Sequence, residues 1–513
     1  MRAFPALLLA AACSDPFPLD TTAAAEAPEV CPASADWLPN TPPLQMFNPL
    51  PHPASECPFY RGGWQNFLVA TQPDANGAPA FLTYPTIDTA FTPKTPRPTN
   101  RSFLGLVKQA GGRQILVDQN NNTLYYGIHV NQAYASFIRA NGLDTADALA
   151  AYPSDPVKKN LVFPPGVVEF KSAWQLVEGD AASIAAQTAD FIWTTTTAPT
   201  LVQDPTTLQI SEDRSHPINV TVRLLALHVV FTLPGHPEFV WASFEHSTGA
   251  PDSKPSDGKR DVAPTLPDTN PSAADPLNQM NTAVVSAVNG ILYKAGTPAN
   301  LANQAISETH LMLMGQKFPG QQTSVYRMFP GSKSNSIDPD EAVTSLNHNV
   351  EALFASRAGT LSPTDKRGHY RLVGAQWMDR PEFFAVDKAL QNDGTSPFLQ
   401  DHTERNGDTV ASVRAISVDQ LTKDLVANGS DSPYSILAGE DRLSSTAMES
   451  FTQGPDSFNN CFTCHNTQAI TGNGIPLNRD LSGTPLKLLA PGFLNVSHVL
   501  SEFLLEEHEA AGN

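Results

Sequence analysis

The sequence predicts an α+β fold: a β-rich, antiparallel N-terminal region, with a sandwich as one arrangement, followed by a mainly helical C-terminal region. Three observations lead there. Runs of Val, Ile, Leu, Phe, Trp and Tyr bounded by turn residues fill the first half of the chain. Apolar residues at helical spacing recur in the second half. Proline accounts for 45 of 513 residues and only 16% of residues are charged, a balance that favours irregular connections and β-structure over a helical bundle. At about 150 residues per domain the length corresponds to roughly three domains, enough to bury a core without staples.

The elements follow in chain order. Arg2 is a short positive segment, residues 3–12 form an apolar run ending in Ala10-Ala11-Ala12, and Cys13 comes next. This is the anatomy of an export signal. A cysteine directly after small residues resembles the lipobox of bacterial lipoproteins, in which that cysteine is acylated; Leu9 stands one place further back than in the usual pattern. An ordinary cleaved signal is the alternative. The expectation is a signal peptide over 1–12, lipidation at Cys13 and a Pro-, Ala- and Ser-rich tether over 13–55.

Residues 56–255 read as the β-rich domain. Residues 114–117 and 123–130 flank the turn-like Asn120-Asn121-Asn122, residues 143–152 read as a short helical insert, and residues 166–176 as a strand. The strongest hairpin has arms 220–233 and 239–246 joined through Pro234-Gly235-His236-Pro237. Residues 256–276 read as a linker, within a Pro-, Asp- and Ser-rich stretch that begins near Ala250. A mixed, mainly helical region over 277–410 follows, with helices expected at 278–293 and 336–358. In the last region, 411–513, residues 413–428 and 435–451 read as helical or mixed and residues 496–509 as an amphipathic helix carrying Val499, Leu500, Phe503 and Leu504.

The net charge is −19, with pI near 5.0. An acidic chain does not suit nucleic acid as a main partner, because phosphates need a basic surface; it suits a basic protein partner. No run reaches the ~18 apolar residues needed to span a bilayer, so membrane attachment is expected through the lipid anchor alone.

The most specific motif is Cys461-Phe462-Thr463-Cys464-His465. C-x-x-C-H reads as a c-type haem attachment. Two thiols three positions apart each form a thioether to a haem vinyl group, and the adjacent imidazole reaches the iron as proximal ligand. A composition estimate gives the pattern by chance in about one shuffled chain per thousand. A Zn site needs four ligands, and no second C-x-x-C exists. A redox dithiol belongs near a βαβ pattern, which does not precede Cys461. Of the five cysteines, Cys461 and Cys464 go to haem and Cys13 to lipid or removal. Cys31 and Cys57 remain, and in an oxidising compartment they are expected to pair, contributing about 3–4 kcal/mol in the chain-entropy model.

Residues 443–451 followed by 461–465, with Val240-Trp241-Ala242-Ser243-Phe244-Glu245-His246 and Val168-Glu169-Phe170-Lys171-Ser172-Ala173-Trp174, resemble segments of large exported bacterial mono-haem proteins described only as the cytochrome c family. The resemblance implies one covalent haem and one integrated chain, with Cys461, Cys464 and His465 as the functional residues. It implies no substrate.

The far side of the iron stays open at this point. No Met follows His465, unlike the order in small soluble cytochromes c. Met448 upstream and His498 downstream are the leading candidates, His508 ranks lower, and an open site is the third option. His129, His228 and His246 lie in strand-like segments and read as hydrogen-bonded structural histidines, with a second-site ligand as the alternative. No H-E-x-x-H, G-x-S-x-G, P-loop or dinucleotide glycine motif occurs. The functional expectation is single-electron transfer through one covalent haem c in the periplasm or at the cell surface, with a redox partner protein. The alternatives are a haem peroxidase or oxygenase on an extracellular substrate, and a haem-containing sensor or binding scaffold.

Overall fold

The structure, a computed structural model, describes residues 30–39, 56–94, 97, 102–105, 107–108, 114–252, 286–298, 301–302, 306–327, 341–378, 399–403, 409–413, 437–440, 443, 445–448, 461, 465, 493–497 and 499–512. The helices are α1 (Cys57–Ala70), α2 (Ile87–Ala90), α3 (Gln132–Ala140), α4 (Ala146–Ala151), α5 (Ala181–Thr188), α6 (Glu341–Arg357) and α7 (Val499–Gly512). The strands are β1 (Gln114–Ile115), β2 (Tyr125–Val130), β3 (Val168–Val177), β4 (Trp193–Gln203), β5 (Ile210–Leu233), β6 (His236–His246), β7 (Ile306–Ser307), β8 (Tyr370–Met378), β9 (Leu399–Thr403), β10 (Thr409–Val413) and β11 (Leu437–Gly439).

An antiparallel sheet of seven strands organises the fold, in the order β11-β8-β6-β5-β3-β2, with β4 on β5. Mixed helix and antiparallel sheet is the α+β content expected. The other ladders among the described residues have two strands each, so they supply no second large layer for a sandwich. The 24-residue β5 is the spine: its first part pairs with β4 and its later part with β3 and β6. Because β8 and β11 belong to the same sheet as β2–β6, one sheet runs through the stretches 56–255, 277–410 and 411–513.

Side-chain alternation gives the sheet two faces. Leu227, Val229 and Phe231 of β5 and Val240, Ala242 and Phe244 of β6 join Tyr60, Trp64 and Phe67 of α1 in the largest apolar cluster. Gly62 and Gly63 let α1 lie close to the strands: a Cβ there would come within 3.2 Å of the Phe231 ring and 3.1 Å of the Ala242 Cβ. The other face carries Val130, Val230 and Trp241, packed with Phe163, Leu494, Val496, Leu500 and Phe503. Further along the same face, Tyr126, Ala173 and Ala226 pack with Leu292, Val325 and Met448.

Several expectations are corrected. Helix α1 lies where strands were expected. Pro58 occupies its first turn, where the missing N–H costs nothing, and burial of Tyr60, Trp64 and Phe67 outweighs the two glycines. Residues 286–293 are bends rather than the end of a helix: Val288 is 73% exposed while Leu292 and Tyr293 are fully buried, so the apolar residues do not share one face. Residues 437–439 are a strand paired with β8. Gly439 has φ +80°, and a Cβ there would meet the Ala375 carbonyl oxygen at 2.1 Å, so the close pairing depends on glycine. Residues 413–428 apart from Val413, and 256–276, lie outside the described residues.

Cys31 and Cys57 form a disulfide with a Cα–Cα distance of 5.4 Å. Within the stretch read as a tether, residues 30–39 are packed. Cys31 and Trp37 are buried, the Cys31 N–H donates to Ser345 Oγ at 3.0 Å, and Asn349 Nδ2 donates to the Cys31 carbonyl at 2.9 Å. The expected amphipathic C-terminal helix is α7. Phe503 stacks on Phe91 at 4.6 Å, and Arg97 pairs with Asp88, Glu506 and Glu507. No helix among the described residues is long and apolar enough to cross a membrane.

Candidate functional site

Trp241 is a platform in the middle of the sheet. It lies opposite Val230 of β5 and Gln376 of β8, is 6% exposed, and its Nε1–H donates to the Glu238 carbonyl at 3.3 Å. The His465 imidazole rests against the indole, ring centroids 4.0 Å apart at 41°. The His465 N–H donates to the Cys461 carbonyl at 2.8 Å. That is one helical turn, and residues four apart on a turn share a face. The Cys461 side chain and the imidazole therefore belong to one side of the turn.

The turn is tied to the sheet at its start. The Cys461 N–H donates to Gln376 Oε1 at 2.6 Å, and Gln376 Nε2 donates to the Glu440 carbonyl at 2.7 Å. Gln376 and Glu440 are fully buried. Cys461 is half-buried and outside any disulfide.

His465 is held from its other side by residues 493–496, a 3-10 turn. His465 Nδ1 lies 3.2 Å from the Val496 carbonyl oxygen. A carbonyl only accepts, so Nδ1 carries the proton and the neutral ring has its lone pair on Nε2. A metal-binding histidine is oriented in this way, by donation of the other ring N–H to a carbonyl or carboxylate. Cys461 and His465 are thus residues that could hold a c-type haem. Cys464 and Cys13 lie outside the described residues.

Met448 is fully buried in the cluster with Tyr126, Ala173 and Ala226. Its neighbour Thr446 binds Glu245 through both N–H and hydroxyl. Glu245 is four residues beyond Trp241 on β6, about 13 Å along the strand. The structure therefore does not bring Met448 beside His465. His498 lies outside the described residues, between the buried Ser497 and Val499.

Between the two apolar clusters of this face lies a polar strip. Lys171 and His228 are paired across β3 and β5, and His228 lies opposite Ser243, with His228 Nδ1 and Ser243 Oγ 2.8 Å apart. His246 is a structural histidine: it stacks on Phe191 at 3.7 Å and its Nε2 donates to the Asp190 carbonyl at 3.1 Å. Burial lowers its pKa to about 4. His129 departs from the expected hydrogen-bonded histidine. Among the described residues neither of its ring nitrogens has a hydrogen-bond partner. It sits near Phe81 and Phe103, and burial lowers its pKa to about 3. No group of three or more His, Cys, Asp or Glu poised for a metal ion occurs among the described residues.

Sequence reasoning missed the supports of His465: Trp241 as platform, Gln376 as anchor of Cys461 and Val496 as acceptor. The only signal was that Trp241 falls in one of the segments carrying the family resemblance. The chain matches no family model, no curated protein and no solved structure.

Proposed function

We propose that this chain is an exported c-type cytochrome that transfers single electrons through one haem attached to Cys461 and Cys464, with His465 as proximal ligand. The observation that carries the reading is the bond from His465 Nδ1 to the Val496 carbonyl, in a turn that begins at the first cysteine of C-x-x-C-H. A haem c held there supplies a one-electron iron couple whose potential depends on its ligands, nearby hydrogen bonds and burial. The chain's own residues supply the rest. Cys461 and Cys464 fix the group covalently, His465 presents Nε2, Val496 sets the ring's tautomer, and Trp241 with Gln376 keeps the turn against a rigid sheet. The Cys31–Cys57 disulfide supports an oxidising compartment, and with it export; the lipid anchor at Cys13 rests on the small residues that precede it. The charge of −19 supports a basic redox partner.

One observation favours a second reading, a haem peroxidase or oxygenase with an open iron. Met448 packs about four strand residues away from Trp241, and the polar strip Lys171–His228–Ser243 lies between them. A sensor or scaffold role gains no such support. Spectra decide. The protein is made with the periplasmic haem-attachment machinery, assayed as its pyridine haemochrome, then reduced and exposed to carbon monoxide. A c-type haemochrome with an unchanged ferrous spectrum is expected for electron transfer. Rapid carbon monoxide binding turns the reading to the enzyme, and a colourless protein overturns both.

A further inference from the structure

A carboxyl group is buried in the wall that holds His465. Glu169 of β3 pairs across the sheet with Val130 on one side and Val230 on the other, and Val230 is opposite Trp241. Glu169, Val230 and Trp241 thus form a row across three strands, which sets Glu169 about 10 Å from the indole under His465. Glu169 is 6% exposed. Its Oε2 accepts a hydrogen bond from Ser497 Oγ, and Ser497 Oγ lies 2.9 Å from the Tyr134 hydroxyl. With Ser497 donating to the carboxylate, Tyr134 donates to Ser497.

Ser497 closes the turn that holds the histidine. Its N–H donates to the Leu494 carbonyl at 3.1 Å, and the Tyr152 hydroxyl donates to Asn495 Oδ1 at 2.7 Å. Between these two pinned residues is Val496, whose carbonyl accepts from His465. The chain of contacts runs from Glu169 through Ser497 and Val496 to the imidazole.

The surroundings of Glu169 are short of charge. From β2 and β5 it faces Val130 and Val230, and from α7 the cluster receives Val499, Leu500 and Phe503. Of the α7 carboxylates, Glu502 is buried and acts on Arg214, and Glu506 and Glu507 turn to Arg97. The titratable neighbours are Tyr134 of α3 and Tyr152, both pushed upward by burial. Lys171 and His228 lie one step along the face, and His465 lies beyond the turn. Burial raises the Glu169 carboxyl to about 8, against the smaller lowering by Ser497.

We propose that Glu169 is a positioning residue for His465, and that its carboxyl binds one proton on reduction of the site and releases it on oxidation. The inference rests on the c-type haem reading. The balance is simple: one electron arrives from the redox partner, one proton from solvent joins the carboxylate, and no other bond forms or breaks. The driving force is Coulombic. Added electron density near His465 makes a negative carboxylate in a low-dielectric wall less favourable, so the neutral acid is favoured in the reduced state.

The test is a redox titration of the full haem-loaded protein from about pH 6 to pH 9, a range that brackets the shifted carboxyl, for wild type, Glu169→Gln and Ser497→Ala. In wild type the midpoint potential falls with rising pH, the redox equilibrium constant changing toward tenfold per pH unit. Glu169→Gln keeps the acceptor for Ser497 but cannot titrate, and flattens the profile. Ser497→Ala keeps the carboxyl and moves the sloping region to higher pH, because the bond that lowers its pKa is gone. A haem-loaded wild type with a flat profile overturns the proposal alone. So does Glu169→Gln with the wild-type slope or, should that variant fail to fold, Ser497→Ala with an unshifted one. Wild type without a haemochrome overturns the proposal together with the haem reading.

Discussion

On one face of the sheet Phe59, Trp64, Phe67, Phe231, Phe244 and Trp377 close an aromatic core against α1 and α6. On the other, apolar residues are interrupted by buried polar ones, three of which reach a distant part of the chain: Glu169 to Ser497, Gln376 to Cys461, Glu245 to Arg327 and Thr446. The first face also joins distant stretches, with residues 30–39 and α1 meeting α6 through Cys31–Ser345 and Trp64–Asn347, but it carries none of the candidate haem residues. The second gathers residues 445–448, 461, 465, 493–497 and 499–503 onto strands laid down much earlier in the chain. Stability and the candidate site are separable by face, and substitutions on either side test that division.

The largest contrast is between His465→Ala and Phe231→Ala. His465→Ala abolishes the proximal-ligand signature in the absorption and magnetic circular dichroism spectra and leaves the first-face core intact. Phe231→Ala empties part of the aromatic core and costs about 3–5 kcal/mol in denaturant melts, with the haem spectrum of the folded fraction unchanged. Equal spectral damage from both would erase the division.

Arg327→Met comes next. Arg327 is buried beside Glu245 and Asp252, and its removal leaves Glu245 as an uncompensated buried charge, at about 3–5 kcal/mol. Because Glu245 also holds Thr446, the loss appears as deprotection of the 445–448 amides in hydrogen exchange. The paired change Cys31→Ala with Cys57→Ala follows, at about 2–4 kcal/mol. Its effect on amide exchange is expected at residues 30–39, α1 and α6, on the first face only.

The last contrast, gradual rather than all at once, is the pH dependence of stability from Glu169. Its folded pKa is raised from 4.5 to about 8. The folded state therefore holds a proton that the unfolded chain has lost, and this contribution is fully present below about pH 4.5 and declines as pH rises to about 8, by up to ~1.4 kcal/mol per pH unit. Glu169→Gln flattens that decline in urea melts across the window; an unchanged decline assigns it to other groups.

Legibility followed local pattern and not the face an element occupies. The β5–β6 hairpin announces itself through β-branched and aromatic arms around Pro234-Gly235, a local signal. Helix α7 shows through its apolar spacing, and the Cys31–Cys57 pair follows from parity. Helix α1 was hidden because Pro58 and Gly62-Gly63 weaken helix propensity, while the close approach to Phe231 and Ala242 that makes those glycines useful is a tertiary fact. Residues 437–439 were hidden because a three-residue strand carries too little pattern, and its partner β8 lies far away in sequence. The C-x-x-C-H pattern at 461–465 is a local signal that proposes its own chemistry, and the structure describes Cys461 and His465 of it. Its seating on Trp241 and Val496 was not legible, because no local pattern records which strand a distant turn will meet.

The most direct measurement is peptide mass spectrometry on protein matured with the haem-attachment machinery, beside a Cys461→Ala, Cys464→Ala variant. The expected result is a peptide spanning residues 461–465 heavier by one haem through two thioethers, absent in the variant. An unmodified peptide with two thiols in the matured wild type contradicts the account.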